Sequence, residues 1–145
     1  MFGSGVTDPE NITTTGFFDD GTDSDTLLEE VRGITSFVIN GKTYVATAAE
    51  EDEGMQILEV TDPTSIIKTA SIHDDDNTDY LLDGSSGITS FVIKNNTYVA
   101  VAGFADAGVQ ILDVTDLTNI TGPDNIEDNN IRFTAYHKWC NFIST

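Results

Sequence analysis

The feature that most constrains the fold of this chain is an internal repeat with a period of 54 residues. Gly33-Ile34-Thr35-Ser36-Phe37-Val38-Ile39 recurs as Gly87-Ile88-Thr89-Ser90-Phe91-Val92-Ile93. Thr43-Tyr44-Val45-Ala46 matches Thr97-Tyr98-Val99-Ala100, and Gly54-Met55-Gln56-Ile57-Leu58-Glu59-Val60-Thr61-Asp62 matches Gly108-Val109-Gln110-Ile111-Leu112-Asp113-Val114-Thr115-Asp116. About two thirds of the positions across this stretch are identical, and a period of this length marks an array of like supersecondary units. A partial copy precedes them: Val6-Thr7-Asp8-Pro9 stands 54 positions before Val60-Thr61-Asp62-Pro63, and Asn11-Ile12-Thr13 stands 108 before Asn119-Ile120-Thr121.

Each period reads as four short strands joined by turns. The first covers about 34–39. Asn40-Gly41 is the strongest hairpin signal in the chain and leads into the second strand, about 43–48. In the next copy Asn95-Asn96 is read as the turn. An acidic link, 50–53, leads to Gly54 and a third strand, about 55–60; Thr61-Asp62-Pro63-Thr64 then turns into a fourth, about 67–72. The strands are apolar on both faces, with Phe37 and Ile39 on one side of the first and Ile34 and Val38 on the other. Such strands require cover on both sides. Four-stranded units that cover one another predict an all-β fold, a partial β-propeller of antiparallel blades, ahead of a stacked β-solenoid, whose coils are shorter and lack tight hairpins. The corresponding division is a partial first repeat at 1–32 with an outer strand and an acidic link, a blade at 33–86, an incomplete blade at 87–130, and a non-repeat tail at 131–145.

These segments resemble the LVIVD-repeat β-propellers. That family's repeat carries a Gly-Ile strand, a Tyr-Val-Ala strand and an Ile-Leu-Asp-Val-Thr-Asp-Pro segment, here Gly87-Ile88, Tyr98-Val99-Ala100 and Ile111-Leu112-Asp113-Val114-Thr115-Asp116, with Leu117 in place of the Pro. The resemblance spans roughly residues 6–130. It implies an extracellular or cell-surface setting and a role in adhesion or display, and brings no catalytic residues. This chain shows no signal peptide and no apolar run long enough for a membrane-spanning helix, so no membrane insertion is expected.

Charge narrows the partners. The 25 Asp and Glu against 6 Lys and Arg give a formal net charge of -19. A polyanion of this strength is repelled by nucleic-acid phosphates, so no nucleic-acid partner is expected. A hydrophobic content of 39% nevertheless allows a packed core, unlike that of an acidic disordered tail. The single Cys140 excludes an intramolecular disulfide. In an up-and-down four-stranded unit, the link from second to third strand and the link to the next unit emerge at one end. Most of the acids fall in those links, while Lys42 and Lys94 fall in turns at the opposite end.

Clustered carboxylates are the ligands that hard cations such as Ca2+ require. Asp20, Asp74 and Asp128 are repeat-equivalent, as are Asp25 and Asp79, so a Ca2+ site would recur once per blade. Neither acidic run has the full EF-hand spacing. The plainer reading of the same acids is a solvated surface that maintains solubility. Sequons at Asn11, Asn95 and Asn119 mark glycosylation candidates at the end opposite the acids, although Asn also suits turns there. His73 occupies a position held by Asp19 and Glu127 in the other copies, which favours a surface role over catalysis.

Past residue 130 the pattern stops. Arg132, Phe133, Tyr136, His137, Lys138, Trp139 and Cys140 replace the expected acids, which reads as a truncated or frame-shifted end, a cap or a partner-docking segment. The 145 residues hold about two and two-thirds periods, against the roughly 4–8 blades of a closed propeller. The chain is accordingly expected to be part of a larger propeller or to self-associate into a ring. The functional expectation is a non-enzymatic repeat segment of a surface or secreted propeller, an interaction or display module for a protein or small ligand, with Ca2+ as its one candidate cofactor. The alternative from a different class is a fragment of a propeller hydrolase or lyase whose catalytic residues lie elsewhere.

Overall fold

The computed structural model describes residues 10–21, 25–77 and 79–127. The fold is all-β. Strands β1 (Val31–Ile39), β2 (Lys42–Ala49), β3 (Gly54–Glu59) and β4 (Ile67–His73) form one antiparallel sheet in chain order. Strands β5 (Ser85–Ile93), β6 (Asn96–Gly103), β7 (Gly108–Asp113) and β8 (Thr121–Glu127) form a second sheet of the same order. Register is preserved between them: Phe37 pairs with Tyr44 as Phe91 pairs with Tyr98, and Ile57 lies opposite Ala46 as Ile111 lies opposite Ala100. The Phe37–Tyr44 and Phe91–Tyr98 rings stack at centroid separations of 5.7 and 5.6 Å. Each stack sits beside the hairpin joining the first two strands and reinforces it through the cross-strand pair.

The hairpins show one departure from expectation. The first turn is Asn40-Gly41, with φ of 52° and 78°, the left-handed pair that a two-residue turn with the twist of its strands requires. The second is Lys94-Asn95, with φ of 50° and 68°, one residue earlier than the expected Asn95-Asn96. Strand pairing explains the shift: Ile93 lies opposite Asn96 in the ladder, so Asn96 already belongs to β6. The turns between third and fourth strands repeat closely. The Thr61 hydroxyl accepts from Thr43 N–H at 3.0 Å, and the Thr115 hydroxyl accepts from Thr97 N–H at 2.9 Å. Asp62 Oδ1 accepts from the Thr64 backbone and hydroxyl, and Asp116 Oδ1 accepts from the same two groups of Thr118. The Thr-Asp signature of the repeat is thus turn chemistry, in which short polar side chains satisfy backbone donors that leave the ladder.

Both sheets have a front face and a back face set by the two-residue alternation of their strands. The front of the first sheet carries Phe37, Tyr44, Ala46, Ala48, Met55 and Ile57, all buried. It packs on the back of the second sheet, where Val99, Val101, Leu112 and Val114 are buried and Ile88 is half-buried. The first strands of the two sheets run close enough for hydrogen bonds between them. Thr35 Oγ1 lies 3.1 Å from Ser90 Oγ, and Ser90 Oγ donates to the Ser36 carbonyl at 2.8 Å. Gly33 permits this approach, because a Cβ there would sit 2.5 Å from the Ser86 carbonyl oxygen and 3.0 Å from the Ile88 side chain.

Residues 12–19, where an outer strand of the partial first repeat is expected, run outside any ladder. Around Gly16 this strap lies against the Pro63 carbonyl and Ile66. Between strap and sheet an apolar hollow of about 580 Å³ opens on the back of the first sheet, lined by residues that include Phe17, Ile34, Val45 and Leu58. Asp128 and the 131–145 tail lie outside the described residues. Among the described residues no helix is long and apolar enough to cross a membrane.

Candidate functional site

The acidic links meet at one end of the two sheets, and three hydrogen bonds recur there with the period of the sequence. In the first unit Glu50 N–H donates to the Glu30 carbonyl at 3.1 Å, Glu29 N–H donates to Asp52 Oδ2 at 2.7 Å, and Leu27 N–H donates to Gln56 Oε1 at 3.2 Å. In the second, Phe104 N–H donates to the Gly84 carbonyl at 3.0 Å, Asp83 N–H donates to Asp106 Oδ2 at 3.0 Å, and Leu81 N–H donates to Gln110 Oε1 at 3.1 Å. Every partner in one set stands 54 positions from its counterpart in the other. The link that enters each sheet is therefore latched to the link between that sheet's second and third strands.

Gln56 and Gln110 form the buried part of the latch, and the sequence reading passed over both. They are 0% and 1% exposed, on otherwise apolar strands. Gln56 Nε2 also donates to the Ala70 carbonyl at 2.7 Å and the Ile57 carbonyl at 3.2 Å, so its amide serves the incoming link and the outer strand together. A buried amide is tolerated only when its donors and acceptors are matched in this way. The available signal was a glutamine inside Gly-x-Gln-Ile-Leu in both copies, at a position that alternation reserves for an apolar residue.

The candidate cation ligands differ in their surroundings. Asp74 is half-buried, and its Oδ1 accepts from Leu82 N–H at 2.8 Å. Burial raises its pKa above the ordinary carboxylate value; that hydrogen bond opposes the shift, while Asp106 and Asp83 add to it. Glu53 is also raised, by loss of solvent first and then by Asp83 and Asp74. Glu53, Asp74, Asp83 and Asp106 thus form an anionic seam between the two units. Asp20, Asp25 and Asp79 are exposed, while Asp128 lies outside the described residues. Among the described residues no group of three His, Cys, Asp or Glu side chains is placed to hold a metal ion. His73 acts locally: its Nδ1 accepts from Asp75 N–H at 3.0 Å, and its own N–H donates to Asp76 at 2.9 Å.

The opposite end is less acidic in its contacts. Lys42 pairs with Glu59 at 3.1 Å, and the sequon residues Asn11, Asn95 and Asn119 are exposed. Phe104 stands out at the acidic end, 81% exposed beside the seam, whereas Tyr80 packs against the core. No protein-family model matches the chain, and no curated protein matches it significantly.

Proposed function

We propose that this chain is a non-enzymatic segment of a β-propeller of the LVIVD-repeat type, contributing successive blades to a surface or secreted protein that works in interaction or display. The observation that carries this reading is the front-to-back packing of two repeat-equivalent sheets with β1 and β5 side by side. In a propeller each blade covers the next and the first strands gather around one axis, which is how units apolar on both faces share a core. The surface setting rests on the resemblance in the repeat. The acidic end supports an interaction role, because its links are latched at their bases and present exposed carboxylates above them, suited to cations or basic partners.

An experimental structure of the chain tests the architecture through the rotation between its sheets. A ring of about 4–8 blades requires roughly 45–90° between successive sheets about an axis beside β1 and β5. Sheets related by translation alone would make the array a solenoid and overturn the reading. The acidic end is tested by thermal melting in millimolar Ca2+, with Mg2+ and NaCl as controls. A rise in Tm of several degrees with Ca2+ alone would establish a specific cation site. Equal responses to all three would reduce the end to screened surface charge.

A further inference from the structure

We infer that Asn40 is a site of spontaneous backbone modification, deamidating through a succinimide formed with Gly41 to leave an isoaspartyl link at the tip of the first hairpin. The inference is independent of the propeller reading and stands on where each hairpin places its asparagine. Asn40-Gly41 is the one Asn-Gly step in the chain. In ring closure the Gly41 backbone nitrogen loses its proton to hydroxide and attacks Asn40 Cγ. The new C–N bond forms as the Cγ–Nδ2 bond breaks, and ammonia leaves with a proton taken from water. Water then opens the imide: attack at the Asn40 backbone carbonyl carbon gives isoaspartate, attack at Cγ gives aspartate, and neither needs an oxidant or an enzyme. The closure requires an attacking nitrogen that no hydrogen bond holds, and it is fastest when the residue carrying that nitrogen has no Cβ to crowd the ring.

The two hairpins differ in this respect because their asparagines stand one place apart in the turn. Ile39 pairs with Lys42, so Asn40 and Gly41 are the two turn residues, both exposed, and the Gly41 nitrogen lies outside the ladder. In the second hairpin Ile93 pairs with Asn96, so Asn95 is the second turn residue and the nitrogen that follows it closes the ladder. The two Asp-Gly steps that could form the same imide are held by their surroundings. Gly21 N–H donates to Asp19 Oδ1 at 3.2 Å. Gly84 is confined at φ 68°, where a Cβ would lie 2.8 Å from the Ala105 nitrogen, and its carbonyl accepts from Phe104 N–H at 3.0 Å. Isoaspartate at position 40 routes the main chain through Cβ and so adds a carbon to a turn whose twist two residues fix. It also adds a negative charge beside the Lys42–Glu59 pair.

The test is peptide mapping by mass spectrometry after the full chain is held folded at mildly alkaline pH, beside a sample held unfolded in urea. In the folded chain Asn40 is expected to convert at least about tenfold faster than Asn95 or Asn96. The product should show the mass change of amide to acid and accept a methyl group from isoaspartyl methyltransferase. Asn96→Gly puts the same dipeptide in the second hairpin with its nitrogen in the ladder. There Asn95 is expected to react as fast as Asn40 in urea and about tenfold more slowly when folded. Lys94→Asn combined with Asn95→Gly reproduces the placement of Asn40-Gly41 and is expected to create a second reactive site in the folded chain; it decides the matter if Asn96→Gly fails to fold by circular dichroism. Asn40 intact in the folded chain while it converts in urea, Asn95 converting as fast as Asn40 in folded Asn96→Gly, or no new site in the folded double variant would each overturn the inference.

Discussion

The two sheets are built from nearly the same residues in the same register, and their equivalent side chains meet opposite fates. Met55 is fully buried and Val109 is 41% exposed, while Ile34 is 65% exposed and Ile88 is packed. Neither residue type nor strand position accounts for this. What differs is which neighbour lies on which face: the other sheet covers the front of the first and the back of the second, whereas the strap at 12–19 lies over part of the first sheet's back and leaves Ile34 exposed. Burial in a repeat array is thus a property of order in the stack, and each unit contributes stability only through the face that finds a partner.

The sharpest way to break the comparison is to truncate equivalent residues. Met55→Ala is expected to destabilise by about 2–4 kcal/mol, in the range for buried large-to-small changes, and Val109→Ala by less than about 1 kcal/mol. Urea denaturation at low protein concentration measures both, and equal costs would show that the second sheet's front is covered in solution. The latch should instead behave alike in the two sheets. Gln56→Ala and Gln110→Ala each strand a buried backbone N–H, so each is expected to cost about 1–3 kcal/mol, and a twofold disparity in denaturation would mean that the two links are held differently. The hairpins give a smaller, opposite pair. Asn95→Gly relieves a left-handed non-glycine residue and is expected to stabilise by about 0.5–1 kcal/mol, whereas Gly41→Ala at φ 78° is expected to destabilise by a similar amount, both read as Tm shifts.

The smallest effect concerns pH and separates the two ends. Glu53 and Asp74 hold protons more tightly folded than unfolded, so the stability they confer is full below the unfolded carboxylate pKa and is lost as pH rises through the folded value. Asp62 and Asp116 are shifted downward by the hydroxyls and backbones of Thr64 and Thr118, so their contribution is present above the unfolded pKa and disappears as pH falls through the folded value. Asp74→Asn keeps the acceptor for Leu82 N–H and removes the charge. At pH 7 it is expected to raise Tm by roughly one or two degrees, an advantage that shrinks on acidification toward about pH 4. A fall in Tm at pH 7 would mean that the Asp74 charge is compensated at the seam.

Much of the fold was legible in the sequence. The expected strands fall inside or within a residue of those observed, because β-branched and aromatic runs bounded by Asn-Gly, Thr-Asp and Gly report local geometry directly. The second hairpin was misphased because Asn95 and Asn96 are both turn formers, and only the ladder decides which one leaves it. The acidic end was legible as a cluster, but the backbone donors that its carboxylates accept were not. Asp52, Asp74 and Asp106 looked like free carboxylates in a charge run, yet each accepts a backbone N–H from a residue 8 to 23 positions away. Gln56 and Gln110 escaped notice because a polar residue on an apolar strand has meaning only once its distant partners, Leu27 and Leu81, are known.

By itself the sequence determined the period, the four strands of each unit, the turns between them and the end at which charge collects, since these follow from alternation, backbone preference and spacing within a few residues. Only the tertiary structure decided which face of each sheet is covered, which carboxylates hold the backbone and which stay in water, and where a glycine is sterically required. Those outcomes depend on groups 8 to 55 positions apart meeting within about 3 Å, where hydrogen bonds and exclusion of water act, and no local pattern encodes such a meeting.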